Sequence, residues 1–280
     1  MNALVYRGLL LFFKNKQAVI GSFVGAVIMI ILYVFLLGDS LVDSLSVLSQ
    51  PKLVVDTWMF AGVIGIASAS STLGSVSLMI RDKERNVYTD FMISPISKER
   101  IMLGYFFSTF LISLLITLVV IVIAEIYIVV LSKGKLLTLS QFGLLFFVSL
   151  LTVFCSSAFM FFVVSFFKRT DTFSTMTSVI GPLIGFLTGC YVPIGSLPNN
   201  VQRVVEYFPL TSGIVLIRRI MTENVFTTAD KPAINTIKEE LGIVMNGQND
   251  LFLPVAILLI SSGLFLAIAL WNVRRVEIKR

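Results

Sequence analysis

Six stretches of this chain run for about twenty residues or more with almost no charge, which is the length a helix needs to cross the hydrocarbon core of a bilayer. They cover residues 18–37, 58–80, 104–131, 142–167, 172–191 and 251–272. The chain as a whole is 56% hydrophobic and 14% charged, with a mean hydropathy of +0.94. No water-soluble domain of this size hides so much apolar surface, so the expected fold is an all-α polytopic membrane protein. The fifth run is interrupted by Gly181, Pro182, Gly185 and Gly189. Membrane helices tolerate such residues where neighbouring helices cover the freed backbone groups. The first run lacks a small-residue cleavage site and is expected to remain in the mature protein.

Orientation follows from the basic residues in the short connections. One set holds Arg7, Lys14 and Lys16, five residues between Arg81 and Arg100, Lys168 and Arg169, and Arg274, Arg275, Lys279 and Arg280. The opposite connections hold only Lys52, Lys133 and Lys135. The positive-inside rule therefore puts both termini and the 81–103 loop in the cytoplasm. Residues 1–17 place Leu4, Leu11, Phe12 and Phe13 among three basic side chains, a pattern that fits an interfacial helix better than a plain basic anchor. Residues 192–221 are too apolar for a solvated loop and too interrupted for a span. Two short helices separated at Pro209 and dipping into the outer leaflet fit, with Thr211 or Ser212 as a cap for the second. Residues 222–250 read as a polar insert with Pro232 and a short helix over 234–241.

The missing motifs narrow the chemistry. There is no P-loop, no dinucleotide fingerprint, no CxxC and no HExxH, and the chain has no histidine. No catalytic residue, metal site or cofactor site is expected. The basic residues sit at loop ends without aromatic interleaving, so no nucleic acid is expected as a partner. Cys155 and Cys190 fall inside apolar spans and read as packing residues. Within the six runs the one ionisable acid is Glu125, which is thin support for ion coupling and fits a structural role near the interface. The second run carries Ser68, Ser70, Ser71, Thr72, Ser75 and Ser77 beside Gly62, Gly65 and Gly74. Close helix packing is the favoured reading of that stripe, and the lining of a polar-tolerant pathway is the other.

A passage without its own energy source directs attention to residues 81–100, RDKERNVYTDFMISPISKER, of which nine are charged. They either anchor the flanking spans or dock a partner. Side-by-side charges of both signs suit a specific protein surface better than a lipid surface. On a helix running from Arg81 to about Ser94 and ended by Pro95, Tyr88 and Phe91 form an i,i+3 apolar knob, with Val87 and Phe91 at i,i+4.

These segments resemble the ABC-2 type permeases, the membrane subunits of bacterial ATP-binding-cassette exporters. The likeness lies in RGLLLFFKNK before a first span ending LYVFLLGDS, in RDKERNVYTDFMISPISKERIMLGYFFS, in VPIGSLPNNVQRVVEYFPLTSGIVLIRRI, and in six spans with both ends inside. Asn86 stands where many members carry Gly. The resemblance implies a single transmembrane domain over residues 1–280, with six transmembrane helices, an N-terminal interfacial helix and outer re-entrant helices within 192–250. It implies a bacterial plasma-membrane location. It also implies a second permease copy, as homodimer or close homologue, and two separate ABC ATPase subunits that bind ATP and magnesium. The candidate ATPase-coupling residues carried over are Arg81, Glu84, Arg85, Tyr88, Phe91 and Met92, and those of the outer lid are Pro193, Pro198, Pro209 and Arg218. The drug- and antibiotic-export branch is the nearest in look, implying a hydrophobic or amphipathic cargo. A lipid or lipid-linked glycan is the alternative within the family, and an ion-coupled carrier the alternative outside it.

Overall fold

A computed structural model describes residues 2–93, 95–167, 169–226, 234–244 and 251–278 of the protein, and for residues 92 and 273–278 the backbone only. The described residues form twelve α-helices, a π-helical turn and a 3₁₀ turn, with no strand. Helix α1 (Asn2–Lys14) is followed at once by α2 (Lys16–Leu32), whose N-cap Asn15 accepts a hydrogen bond from the Ala18 amide. A π turn at Tyr33–Leu37 carries the chain into α3 (Gly38–Ser44). Then come α4 (Pro51–Glu84), α5 (Val87–Met92), α6 (Lys98–Val130), α7 (Leu139–Val164), α8 (Thr170–Leu187), α9 (Asn199–Tyr207), α10 (Pro209–Thr222), α11 (Ile234–Glu240) and α12 (Phe252–Ile278).

Among the described residues, five helical stretches are long and apolar enough to cross a membrane: Lys16–Ser44, Pro51–Glu84, Lys98–Val130, Leu139–Val164 and Phe252–Asn272. The protein is therefore a polytopic helical membrane protein. The expected span over 172–191 appears as α8, which is shorter and begins with the hydroxyl-rich TDTFSTMTS. Four of those hydroxyls, of Ser174, Thr175, Thr177 and Ser178, bond back to carbonyls three or four residues earlier, so most of the polar half of α8 is satisfied inside the helix.

The largest departure from the expected boundaries is α4, which begins at Pro51 rather than near residue 58. Proline suits a first helical position, where its missing N–H would have no partner in any case. Helix α4 is also the axis of the molecule, packed against α2, α6, α7, α8 and α10. Between membrane helices there is no water to expel, so association depends on close contact and on hydrogen bonds between helices. The small-residue stripe supplies both. A Cβ built on Gly65 would lie 2.2 Å from Ile214 of α10, and one on Gly25 of α2 would lie 2.7 Å from Ile66. The Ser70 hydroxyl donates to the Ser22 carbonyl of α2 at 2.8 Å, and Ser68 and Ser75 reach Ser156 and Ser113 at 3.5 and 3.4 Å. The stripe thus packs inside a single chain. On the far side, Phe106, Phe110, Phe154 and Phe161 meet edge to face between α6 and α7, and Phe159 meets Phe265 of α12 in the same way.

Gly65→Ala is expected to lower thermal stability of the detergent-purified protein by about 1–3 kcal/mol through overpacking against Ile214. Gly21→Ala, whose added methyl meets nothing within 4 Å, is expected to cause no loss in the same melting experiment.

Candidate functional site

The last turn of α4 carries Asp82 into contact with α1 and α6, where it is buried. Arg7 of α1 donates to its two carboxylate oxygens at 2.6 and 3.0 Å, and the Tyr105 hydroxyl of α6 donates at 2.6 Å. A two-pronged guanidinium–carboxylate pair fixes angle as well as distance. The hydrogen bond to Asp82 is the main cause that holds the Arg7 guanidinium above its already high ordinary pKa. The same guanidinium lies over the Phe91 ring at 5.4 Å, and the Tyr88 ring stands 6.3 Å from that of Tyr105. Three long helices and the short α5 are thereby tied at one carboxylate.

The expected continuous helix from Arg81 to about Ser94 is corrected to two. Helix α4 stops at Glu84, and Asn86 adopts the left-handed conformation, φ 61°, that turns the chain into α5. Only glycine, asparagine and aspartate enter that region readily, so Asn86 does the work of the glycine it replaces in the resemblance. Ser94 lies outside the described residues, as does the side chain of Met92, the last residue of α5. The Tyr88–Phe91 pair, expected as an apolar knob for a docking partner, faces inward instead. Tyr88 is buried and Phe91 half-buried, because their rings cover the Arg7–Asp82–Tyr105 cluster. The exposed face of this turn and helix is Arg85, Thr89 and Asp90, followed by Ile93, which is 83% exposed. Glu84 points elsewhere, accepting hydrogen bonds from the Thr170 amide at 3.4 Å and from the Thr170 hydroxyl at the start of α8. Arg81 is half-buried, and its Nε has no hydrogen-bond partner among the described residues. Asp82 is the residue that sequence reasoning passes over. It lies 75 positions from Arg7, and the available signal is a lone arginine within an apolar stretch.

At the opposite end of the bundle, the early start of α4 brings a further buried acid into the spans near Glu125. Asp56 is 1% exposed and accepts from the Tyr33 hydroxyl at 2.6 Å and the Ser132 hydroxyl at 2.7 Å. The inventory of a single intramembrane acid is corrected accordingly.

Two residues further along, Trp58 faces Arg218 of α10, the most deeply buried cation among the described residues, at 0% exposure. The Arg218 guanidinium stacks 4.6 Å from the Trp58 ring and donates to the Gly189 carbonyl at 2.6 Å and the Leu241 carbonyl at 3.3 Å. The indole N–H of Trp58 donates to the same Leu241 oxygen at 2.6 Å. Gly189 and Gly242 have φ of 61° and 62° just past the ends of α8 and α11. The amides that follow them, Cys190 and Ile243, reach back to the carbonyls of Gly185 and Lys238, which is the Schellman ending. Helix C-termini carry partial negative charge on their free carbonyls. Arg218 is thus stabilised by two helix ends and an aromatic face, with no carboxylate bonded to it among the described residues. Ile194 wedges between the two endings, since a Cβ on Gly189 or Gly242 would come within 2.3 or 2.6 Å of it.

The other residues expected in an outer lid start helical segments. Pro193 precedes the 3₁₀ turn Ile194–Ser196, Pro198 is the N-cap of α9, and Pro209 is the first residue of α10. The break at Pro209 is where it was expected, but neither Thr211 nor Ser212 caps α10. Phe208 holds that position, and the Thr211 hydroxyl donates instead to the Leu187 carbonyl at the end of α8. Of the polar insert, Pro232 and residues 227–233 and 245–250 lie outside the described residues, whereas α11 occupies the expected short helix.

A family model described as "ABC-2 family transporter protein" matches residues 40–271, most of the chain. That segment includes Asp82, Tyr105 and Arg218, while Arg7 precedes it. No curated protein matches the chain.

Asp82→Ala strands Arg7 and Tyr105 and is expected to cost about 1–3 kcal/mol. Limited proteolysis should then cut between α1 and α2 faster than in the wild type. Arg218→Lys keeps the charge but loses the planar fork and the stacking, so it is expected to cost a similar amount, about 1–3 kcal/mol. Its readout is faster proteolytic nicking within 192–226 with the rest of the bundle intact.

Proposed function

The chain belongs to the ABC-2 family of transporter proteins, and on that premise we propose that it is the permease subunit of an exporter, moving a hydrophobic or amphipathic cargo outward. ATP, with magnesium, is hydrolysed on a separate ABC ATPase, of which two copies serve two permease copies. The protein sits in a bacterial plasma membrane with both termini and α5 in the cytoplasm and the Arg218 end outside, the orientation that the basic residues favour.

The observation that carries this reading is the seating of α5. A six-residue helix clasped through Phe91 and Tyr88 onto the Arg7–Asp82–Tyr105 cluster cannot shift without pulling on α1, α4 and α6 together. In this reading the ATPase grips the exposed Arg85, Thr89, Asp90 and Ile93, and the buried aromatics pass the movement to the long helices. Glu84 passes it to α8 through Thr170. At the far end of α4 the Arg218 cluster ties α10 to the ends of α8 and α11, and α9 and α10 form the lid that opens when α4 and α8 move.

The cargo class draws support from a groove of about 520 Å³ between α2, α4 and α8. Its lining mixes Val24, Ile28 and Leu73 with Ser70, Ser77 and Ser178, suited to a body that is mostly apolar with scattered polar groups. The second permease copy closes this groove in the proposed assembly.

Tagged protein purified from its native membranes is expected to bring an ABC ATPase with it. Replacing Arg85, Asp90 and Ile93 together by Ala, Ala and Ser is expected to cut that recovery by at least about tenfold and to abolish export, with membrane insertion unchanged. Undiminished ATPase recovery would refute the coupling assignment. Transport in liposomes that needs no ATPase and follows an ion gradient would instead establish an ion-coupled carrier.

A further inference from the structure

Near the Arg218 end, α6 and the start of α7 enclose a second crevice of about 520 Å³. Its walls are apolar, including Val122, Ile126, Val130, Leu139 and Phe142, and the one ionisable side chain among the lining residues is Glu125. Val122, Ile126, Val130 and Leu139 are all more than half exposed on the outside of the bundle. In a bilayer those positions meet lipid, so the crevice opens sideways into the hydrocarbon rather than along the groove between α2, α4 and α8.

Glu125 is 8% exposed and receives a single described hydrogen bond, from the Leu137 amide at a long 3.4 Å. A carboxylate can accept about four hydrogen bonds, and one withdrawn from water needs them or a counter-charge. Asp56 close by has two short hydroxyl donors, and Asp82 has an arginine and a tyrosine. Among the described residues no lysine or arginine forms an ion pair with Glu125. Glu125 and Leu137 also line a polar recess of about 190 Å³ that includes Lys133 and Lys135, yet neither lysine comes within ion-pair distance of the carboxylate.

We propose that the apolar crevice binds a lipophilic organic cation taken from the bilayer, with Glu125 as its counter-ion. The charge pattern selects this occupant. A phosphate or other anion meets a carboxylate, and a neutral hydrocarbon leaves that carboxylate unpaired. A hard metal ion needs six or more oxygen ligands, where the crevice offers one side chain. A bulky body with one diffuse positive charge satisfies both the walls and the carboxylate. The crevice's use as a cargo station rests on the transporter reading above, whereas binding itself needs neither the ATPase nor turnover.

The test uses the full chain in phosphatidylcholine nanodiscs and labelled tetraphenylphosphonium, with empty discs as background. Saturable binding is expected from the wild type. Glu125→Gln, which keeps shape and removes charge, is expected to weaken it at least about fivefold. Val122→Trp, which fills the crevice and keeps the carboxylate, is expected to do the same. Absence of saturable binding in the wild type, or less than about a fivefold change in either variant, overturns the site. A cation site confirmed here with no ATP-driven export would leave the site standing and count against the exporter reading alone.

Discussion

A charge taken out of water has to be met by the protein itself, and the bundle is fastened at the places where this happens. Asp82 gathers Arg7 and Tyr105, Asp56 gathers Tyr33 and Ser132, and Arg218 gathers the ends of α8 and α11 against Trp58. In each case the partners come from separate elements or from the residues just past their ends. Apolar contact between membrane helices discriminates weakly among registers, because lipid tails are as apolar as leucine. A carboxylate pinned by a guanidinium at 2.6 Å fixes one register, since sliding by a turn would leave a buried charge alone.

All three clusters involve α4, which has small residues between them. Gly62 and Gly65 let Met29 and Ile214 approach, and the serines return their hydroxyls to their own helix or to a neighbour's backbone. The result is a long helix gripped at both ends and closely wrapped in the middle. Such an element moves as one body, which is what transmission from a cytoplasmic partner to an outer lid would require. The inward position of Tyr88 and Phe91 fits the proposed use: side chains that face inward would convey motion, and those that face outward would take hold of a partner.

Much of the candidate site was legible from the chain, but in an altered form. The charged 81–100 segment stands out against apolar flanks, and the prolines at 193, 198 and 209 mark helix starts where helices do begin. The direction in which the aromatic residues of α5 face was not legible. It depends on Asn86 taking a left-handed turn, which splits one apparent helix into two and rotates the second against Arg7. Asp56 was hidden by a boundary. A hydropathy run ends where polar residues begin, whereas the helix continues because Tyr33 and Ser132 satisfy the carboxylate.

What the sequence determined by itself is the membrane class, the order of the long helices and the family likeness, because these rest on local properties: run length, charge spacing and short motifs. Tertiary structure alone decided the partners of the buried charges. Among the described residues Arg218 meets no acid; it donates to two backbone carbonyls, and a backbone carbonyl belongs to every residue and so leaves no mark in a sequence. Arg7 and Asp82 meet across 75 positions because folding places α1 beside the end of α4. Glu125 differs from both in having one weak partner among the described residues, beside an apolar crevice, a contrast that emerges only when these buried charges are compared in three dimensions.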